Sequence, residues 1–142
     1  MKPKIVMLML LILFIHSSAC SQERNLKITG IYSNLSYSEG SGDIAGTEII
    51  IMQAGSSMEY YIVFQDAEGQ PKVPLVIKPI INKNRIEFSV PQIFYSEDGK
   101  EFIQTTNYNG TIKENGIELE GQNTQTKSKW KTFLKRKNSY WQ

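Results

Sequence analysis

From Ser21 to the C-terminus the chain has no cysteine and no histidine; Cys20 and His16, the single copies, both fall in the first twenty residues. The body of the chain therefore cannot assemble a Ser-His-Asp or Cys-His catalytic site. It also lacks the usual zinc and copper ligands, and no metal site is expected. No disulfide is available to staple the fold. No glycine loop of the phosphate-cradling or dinucleotide type is present, and no cofactor is expected. Helical periodicity is scarce after residue 20. An excess of charge is missing too. The formal +2 resides in Lys2 and Lys4, and without them 14 basic residues face 14 acidic ones. Nucleic acid is thus not an expected partner. Carboxylate, lysine or tyrosine chemistry is what remains. Glu97, Asp98 and Glu101 are the obvious group, but they lie in a Ser-Glu-Asp-Gly-Lys turn that reads as a solvated hairpin tip. An enzyme is not expected.

What is present begins with an export layout. Met1-Lys2-Pro3-Lys4 gives a positive start, and Ile5–Ile15 is an unbroken apolar run. Eleven residues of helix rise about 16 Å, roughly half the hydrocarbon thickness of a bilayer, so the run is too short for a lasting span. Small residues Ser17, Ser18 and Ala19 follow, completing a signal peptide over residues 1–19. Ser17 to Cys20 resembles the bacterial lipobox, in which the cysteine thiol is acylated and the chain is cut just before it. Ser17 stands where that motif usually has an aliphatic residue. An unpaired thiol is a liability in an oxidising compartment, which also favours acylation of Cys20. The expected organisation is a signal peptide at 1–19, a lipidated N-terminus and short linker at 20–25, and one domain at 26–142. The resemblance implies a protein held at the bacterial cell envelope, at the outer membrane or the periplasmic face, by its lipid.

Residues 26–142 read as all-β. Strands are expected at Leu26–Tyr32, Glu48–Gln53, Met58–Gln65, Val73–Pro79, Arg85–Val90 and Lys129–Arg136. Arg85–Val90 is the cleanest alternation, with Ile86, Phe88 and Val90 expected inside. Pro74 and Pro79 bracket a segment whose pairing should be interrupted, because proline has no N–H to offer a ladder. Asp98-Gly99 and Asn115-Gly116 read as hairpin turns, since both dipeptides tolerate positive φ. Glu68-Gly69 and Asn82–Asn84 mark further reversals. About eight short strands at this spacing predict a small antiparallel up-and-down β-barrel.

Gly30-Ile31-Tyr32 on the first strand and Leu134-Lys135-Arg136 on the last are similar to the closing signature of lipocalin-type (calycin) barrels. In that family Gly-x-Trp packs against a basic residue of the final strand; here Tyr32 stands in place of the Trp. The resemblance implies that Tyr32 and Arg136 close one barrel end. The C-terminal basic stretch followed by Ser-Tyr-Trp also resembles a group of small bacterial lipoproteins that brings no function with it.

A barrel of this size either fills with side chains or holds one small ligand. Tyr60, Ile62, Phe64 and Phe88, with the glycine-rich stretch 38–47, are the expected contacts of a small apolar or amphipathic ligand. The alternative is an envelope protein-interaction module (an inhibitor, immunity or assembly factor) that works through its loops. The basic run Lys127, Lys129, Lys131, Lys135, Arg136 and Lys137 reads as a solvated strand face.

Overall fold

A computed structural model describes residues 26–56 and 58–138. Within them the chain forms β1 (Gly30–Ser33), β2 (Ser36–Tyr37), β3 (Ile44–Gln53), β4 (Tyr60–Pro71) and β5 (Leu75–Ile77). It continues with β6 (Ile80–Asn82), β7 (Arg85–Tyr95), β8 (Glu101–Lys113), β9 (Gly116–Asn123) and β10 (Lys129–Lys137). No helix occurs among the described residues. Every pairing is antiparallel, in the order β5-β4-β3-β1-β10-β9-β8-β7-β6, with β2 added alongside β3. The sheet curls into a half-barrel. Ten strands replace the expected eight or so because β2, β5 and β6 are pieces of only two or three residues.

Consecutive strands are neighbours almost throughout, and β1 and β10, first and last, pair directly. The gap falls elsewhere. β5 pairs only with β4 and β6 only with β7, although Lys78-Pro79 is all that separates β5 from β6 in the chain. The physical cause is legible: Pro71 ends β4, Pro74 precedes β5, Pro79 follows it, and Pro91 sits on β7. Each removes a backbone donor and fixes φ, so a continuous ladder cannot form there. We call this gap the seam.

The alternation sorts side chains as it should. Ile86, Phe88 and Val90 are buried, while Arg85, Glu87 and Ser89 are exposed. The inward residues of seven strands meet in one core of thirteen side chains, from Tyr32 and Ile49 to Ile117 and Leu134. Fully burying a side chain of this size contributes roughly 1.5–3 kcal/mol. The seam is spanned within that core. Phe64 of β4 packs against Phe88 of β7 and Tyr108 of β8, at ring separations of 5.9 and 5.4 Å. Side chains join here what hydrogen bonds do not.

Of three local expectations, one holds and two shift. The Asp98-Gly99 hairpin is present, with Gly99 at φ 77°. The other hairpin turns one residue earlier than expected, at Glu114-Asn115, because Gly116 is already paired with Lys113. The glycine-rich stretch is shorter as a loop, since Ile44–Thr47 join β3 by pairing with Asp66–Gly69.

At the end carrying Gly30, the first residues leave the ladder. Arg136 donates through Nη1 to the Lys27 carbonyl (2.7 Å) and the Tyr32 hydroxyl (3.0 Å), and through Nη2 to the Thr29 carbonyl (2.6 Å). Tyr32 in turn donates to the Ile28 carbonyl at 2.7 Å. The Leu26–Thr29 segment is therefore held by side chains instead of forming the start of β1. Tyr32 and Arg136 are direct cross-strand partners, and the guanidinium lies 5.1 Å from the centre of the phenol ring. Gly30 makes room for it: a Cβ there would stand 3.1 Å from Arg136 Nη2. Lysine cannot reproduce this fork. Arg136→Lys is expected to lower the unfolding free energy in urea by about 1–3 kcal/mol. An unchanged midpoint would mean that the contacts contribute nothing.

Candidate functional site

The register gives the half-barrel two unlike ends. The end latched by Arg136 carries the Ala54–Glu59, Lys83-Asn84 and Glu114-Asn115 turns. The opposite end carries Ser38–Asp43, the Ser96–Lys100 turn and the Asn123–Ser128 turn. The chain enters, at Leu26, on the latched side.

Of the residues expected to line a ligand, the structure packs Ile62, Phe64 and Phe88 into the core, and Tyr60 lies partly buried against it. Phe88 and Tyr108 are stacked at 5.0 Å, and Trp130 meets Tyr108 edge-on at 6.1 Å. The centre is filled with side chains. An apolar cleft of about 370 Å³ instead opens along the seam. One wall is Phe64, Asp66, Lys72, Val73 and Leu75, and the other is Val90, Pro91, Gln92, Ile93 and Phe94. Phe64 is thus the one expected contact that reaches it. The local cause is the missing ladder. β5 covers β4 only over Ile62–Phe64, and β6 covers β7 only over Arg85–Glu87. Beyond those residues the two strands part.

A polar rim lies at one edge of the cleft. The Asp66 carboxylate accepts a hydrogen bond from Thr47 Oγ1 at 3.0 Å and stands 3.5 Å from Lys72 Nζ. Half-exposed, this ion pair adds little stability. Burial, with the Asp66 charge adding to it, pushes the Tyr108 hydroxyl well above the usual tyrosine range. Burial also raises Tyr32, against the opposing pull of Arg136. Both phenols stay neutral at physiological pH.

Past the cleft, Gln92–Tyr95 and Glu101–Thr105 run on as a two-stranded ribbon, since β8 is joined to β9 only from Thr106 onward. Phe94 stacks on Phe102 at 5.8 Å, while Ile93 and Tyr95 are 58% and 70% exposed. The alternation signal did not single out this apolar tip, because each of its residues is an ordinary strand former. The C-terminal lysines lie on an exposed face, with Lys129 and Lys131 both near Glu120, at 3.9 and 3.2 Å. No group of three His, Cys, Asp or Glu side chains among the described residues is placed to hold a metal. Residues 1–19, expected to be a signal peptide, and Cys20 and Tyr140-Trp141 lie outside the described residues.

The raised tyrosines set an alkaline limit. Their neutral form is favoured by folding, so the stability they contribute is complete below pH 10 and is lost as the pH rises past it. Tyr108→Phe removes one of the two, and its urea midpoint is expected to fall less between pH 8 and pH 11 than that of the parent. Parallel declines would place Tyr108 in solvent. No family model, curated protein or solved structure matches this chain.

Proposed function

We propose that this chain is a lipid-anchored protein of the bacterial envelope, of lipocalin-like build, that binds a small apolar or amphipathic molecule. The seam cleft is the binding site. The observation that carries this reading is an apolar opening where the sheet is left unpaired, with the core ring of Phe64 in its wall. Its volume falls at the lower end of the range typical of small-molecule sites, roughly 300–1,000 Å³. Apolar walls favour a hydrocarbon or aromatic body, and the Asp66–Lys72 rim gives a polar head a partner of either sign. The prolines around the seam argue against an added peptide strand, which draws its affinity from backbone pairing. The first–last strand closure by Tyr32 and Arg136 supports the lipocalin-like build. The export layout and the lipobox-like Ser17–Cys20 support the anchor.

A second reading has one specific observation in its favour. One face of the ribbon tip exposes Ile93, Tyr95 and Ile103 together, a surface that suits an envelope protein partner.

Two measurements test the first reading. Titration with N-phenyl-1-naphthylamine, a neutral apolar fluorophore, is expected to give saturable binding. Leu75→Glu in the cleft wall should weaken it by at least about tenfold, because the apolar probe would then lie against an ionised group. Val76→Glu, on the neighbouring exposed position, should leave it unchanged. Equal binding by all three proteins, or none by the parent, rejects the cleft. For the anchor, the full chain made in a bacterial host should fractionate with membranes and take up labelled palmitate, and Cys20→Ala should do neither. Soluble parent protein would remove the anchor from the proposal.

A further inference from the structure

The face of the sheet turned away from the core is not featureless. Strands β7 to β10 carry a groove of about 670 Å³ there. The register lays its side chains out in two rows. Arg85, Thr111, Glu118 and Phe133 stand opposite one another across the four strands, and Glu87, Asn109, Glu120 and Lys131 form the row beside them.

Two features separate this groove from an ordinary solvated sheet face. The first is Phe133. Its residue is 41% exposed, yet the ring lies down on the neighbouring strand, where Gly116 has no Cβ. A Cβ at 116 would stand 2.5 Å from Phe133 Cζ and 2.9 Å from Cε2, so only glycine lets the ring rest there. The result is an aromatic plate seated on the backbone with its outer surface free. The second feature is hydrogen-bonding capacity. Glu118 is held by Lys113, and Glu120 lies 3.2 Å from Lys131. The side chains of Arg85, Glu87, Asn109 and Thr111 make no hydrogen bond or ion pair with other described residues. Donors and acceptors thus stand side by side on two rows, next to the plate.

The chemistry selects the occupant. A phosphate-rich polymer would meet Glu87, Glu118 and Glu120, whose charges repel it. A hydrocarbon chain would strip water from at least four polar side chains without replacing their hydrogen bonds. A neutral sugar chain does neither. The C–H face of a pyranose carries slight positive charge and packs against the negative face of an aromatic ring. Its hydroxyls donate and accept at once, which suits carboxylate, amide and guanidinium groups set at strand spacing. We propose that the groove of β7–β10 is a binding site for a neutral oligosaccharide, with Phe133 as the stacking platform and Arg85, Glu87 and Asn109 as hydroxyl partners.

This site lies on the face opposite the core and is independent of the seam cleft. The test is amide NMR of the full chain, solubilised in a detergent without a sugar headgroup, titrated with tetrasaccharides of N-acetylglucosamine, glucose and mannose. At least one is expected to shift the amides around 85–87, 109–111, 118–120 and 131–133 in a saturable way. Phe133→Ala should weaken that binding by about tenfold or more, and Arg85→Ala should weaken it without touching the ring. Far-UV spectra establish that both variants are folded. Shifts confined to the seam, or none with all three sugars, overturn the proposal, as does undiminished binding by a folded Phe133→Ala.

Discussion

The contact of Phe64 with Phe88 and Tyr108 is the constraint on which the rest of this fold depends. It joins β4 to β7 and β8 where no hydrogen-bonded ladder does, so these rings hold the two halves of the sheet to a common interior at its open side. Aromatic pairs contribute roughly 0.5–1.5 kcal/mol beyond the area they bury. That is modest beside a full ladder, but it acts at the one place where the ladder is missing. It also fixes what the interior holds, because space filled by three rings at the centre is not available to a ligand. The opening is displaced sideways to the seam, where the same Phe64 lines one wall.

Pro71, Pro74, Pro79 and Pro91 are the only prolines after residue 3, and all four lie at the seam. Unpaired strand edges invite pairing with other chains, and proline is among the residues that blunt them. The seam is thus open to a side-chain-sized or ligand-sized body and unattractive to another strand. The middle of the sheet's path, where the first and last strands meet, needs no such protection, because β1 and β10 satisfy each other and Arg136 occupies the carbonyls left over at Lys27 and Thr29.

Much of this was legible before the structure, where local pattern and tertiary packing agree. The alternation in Arg85–Val90 gave the burial of β7 residue by residue, and Asp98-Gly99 gave its hairpin. The Pro74–Pro79 bracket announced interrupted pairing, and the resemblance to the lipocalin-type closing signature implied that Tyr32 and Arg136 meet. Other features needed partners distant in sequence. Ile44–Thr47 looks like loop because Gly46 and its small neighbours favour one, yet β4 recruits it into β3. Gly116 looks like a turn residue, yet it lies close against the Leu134 carbonyl and beneath the Phe133 ring, seventeen positions on. The cleft was not legible at all, since its volume depends on where β4 and β7 diverge. The two rows of the outer groove were equally hidden, because they exist only once four strands share a register.

The latch has a mechanical side as well. Arg136 grips the carbonyls of Lys27 and Thr29, the last residues before β1. In a tethered protein, six residues of chain from Cys20 to Leu26 give a leash of at most about 20 Å. Tension on that leash reaches the arginine fork first and the β1 ladder only afterwards. If the chain is anchored as proposed, the fork would act as a strain relief between the lipid and the body it carries.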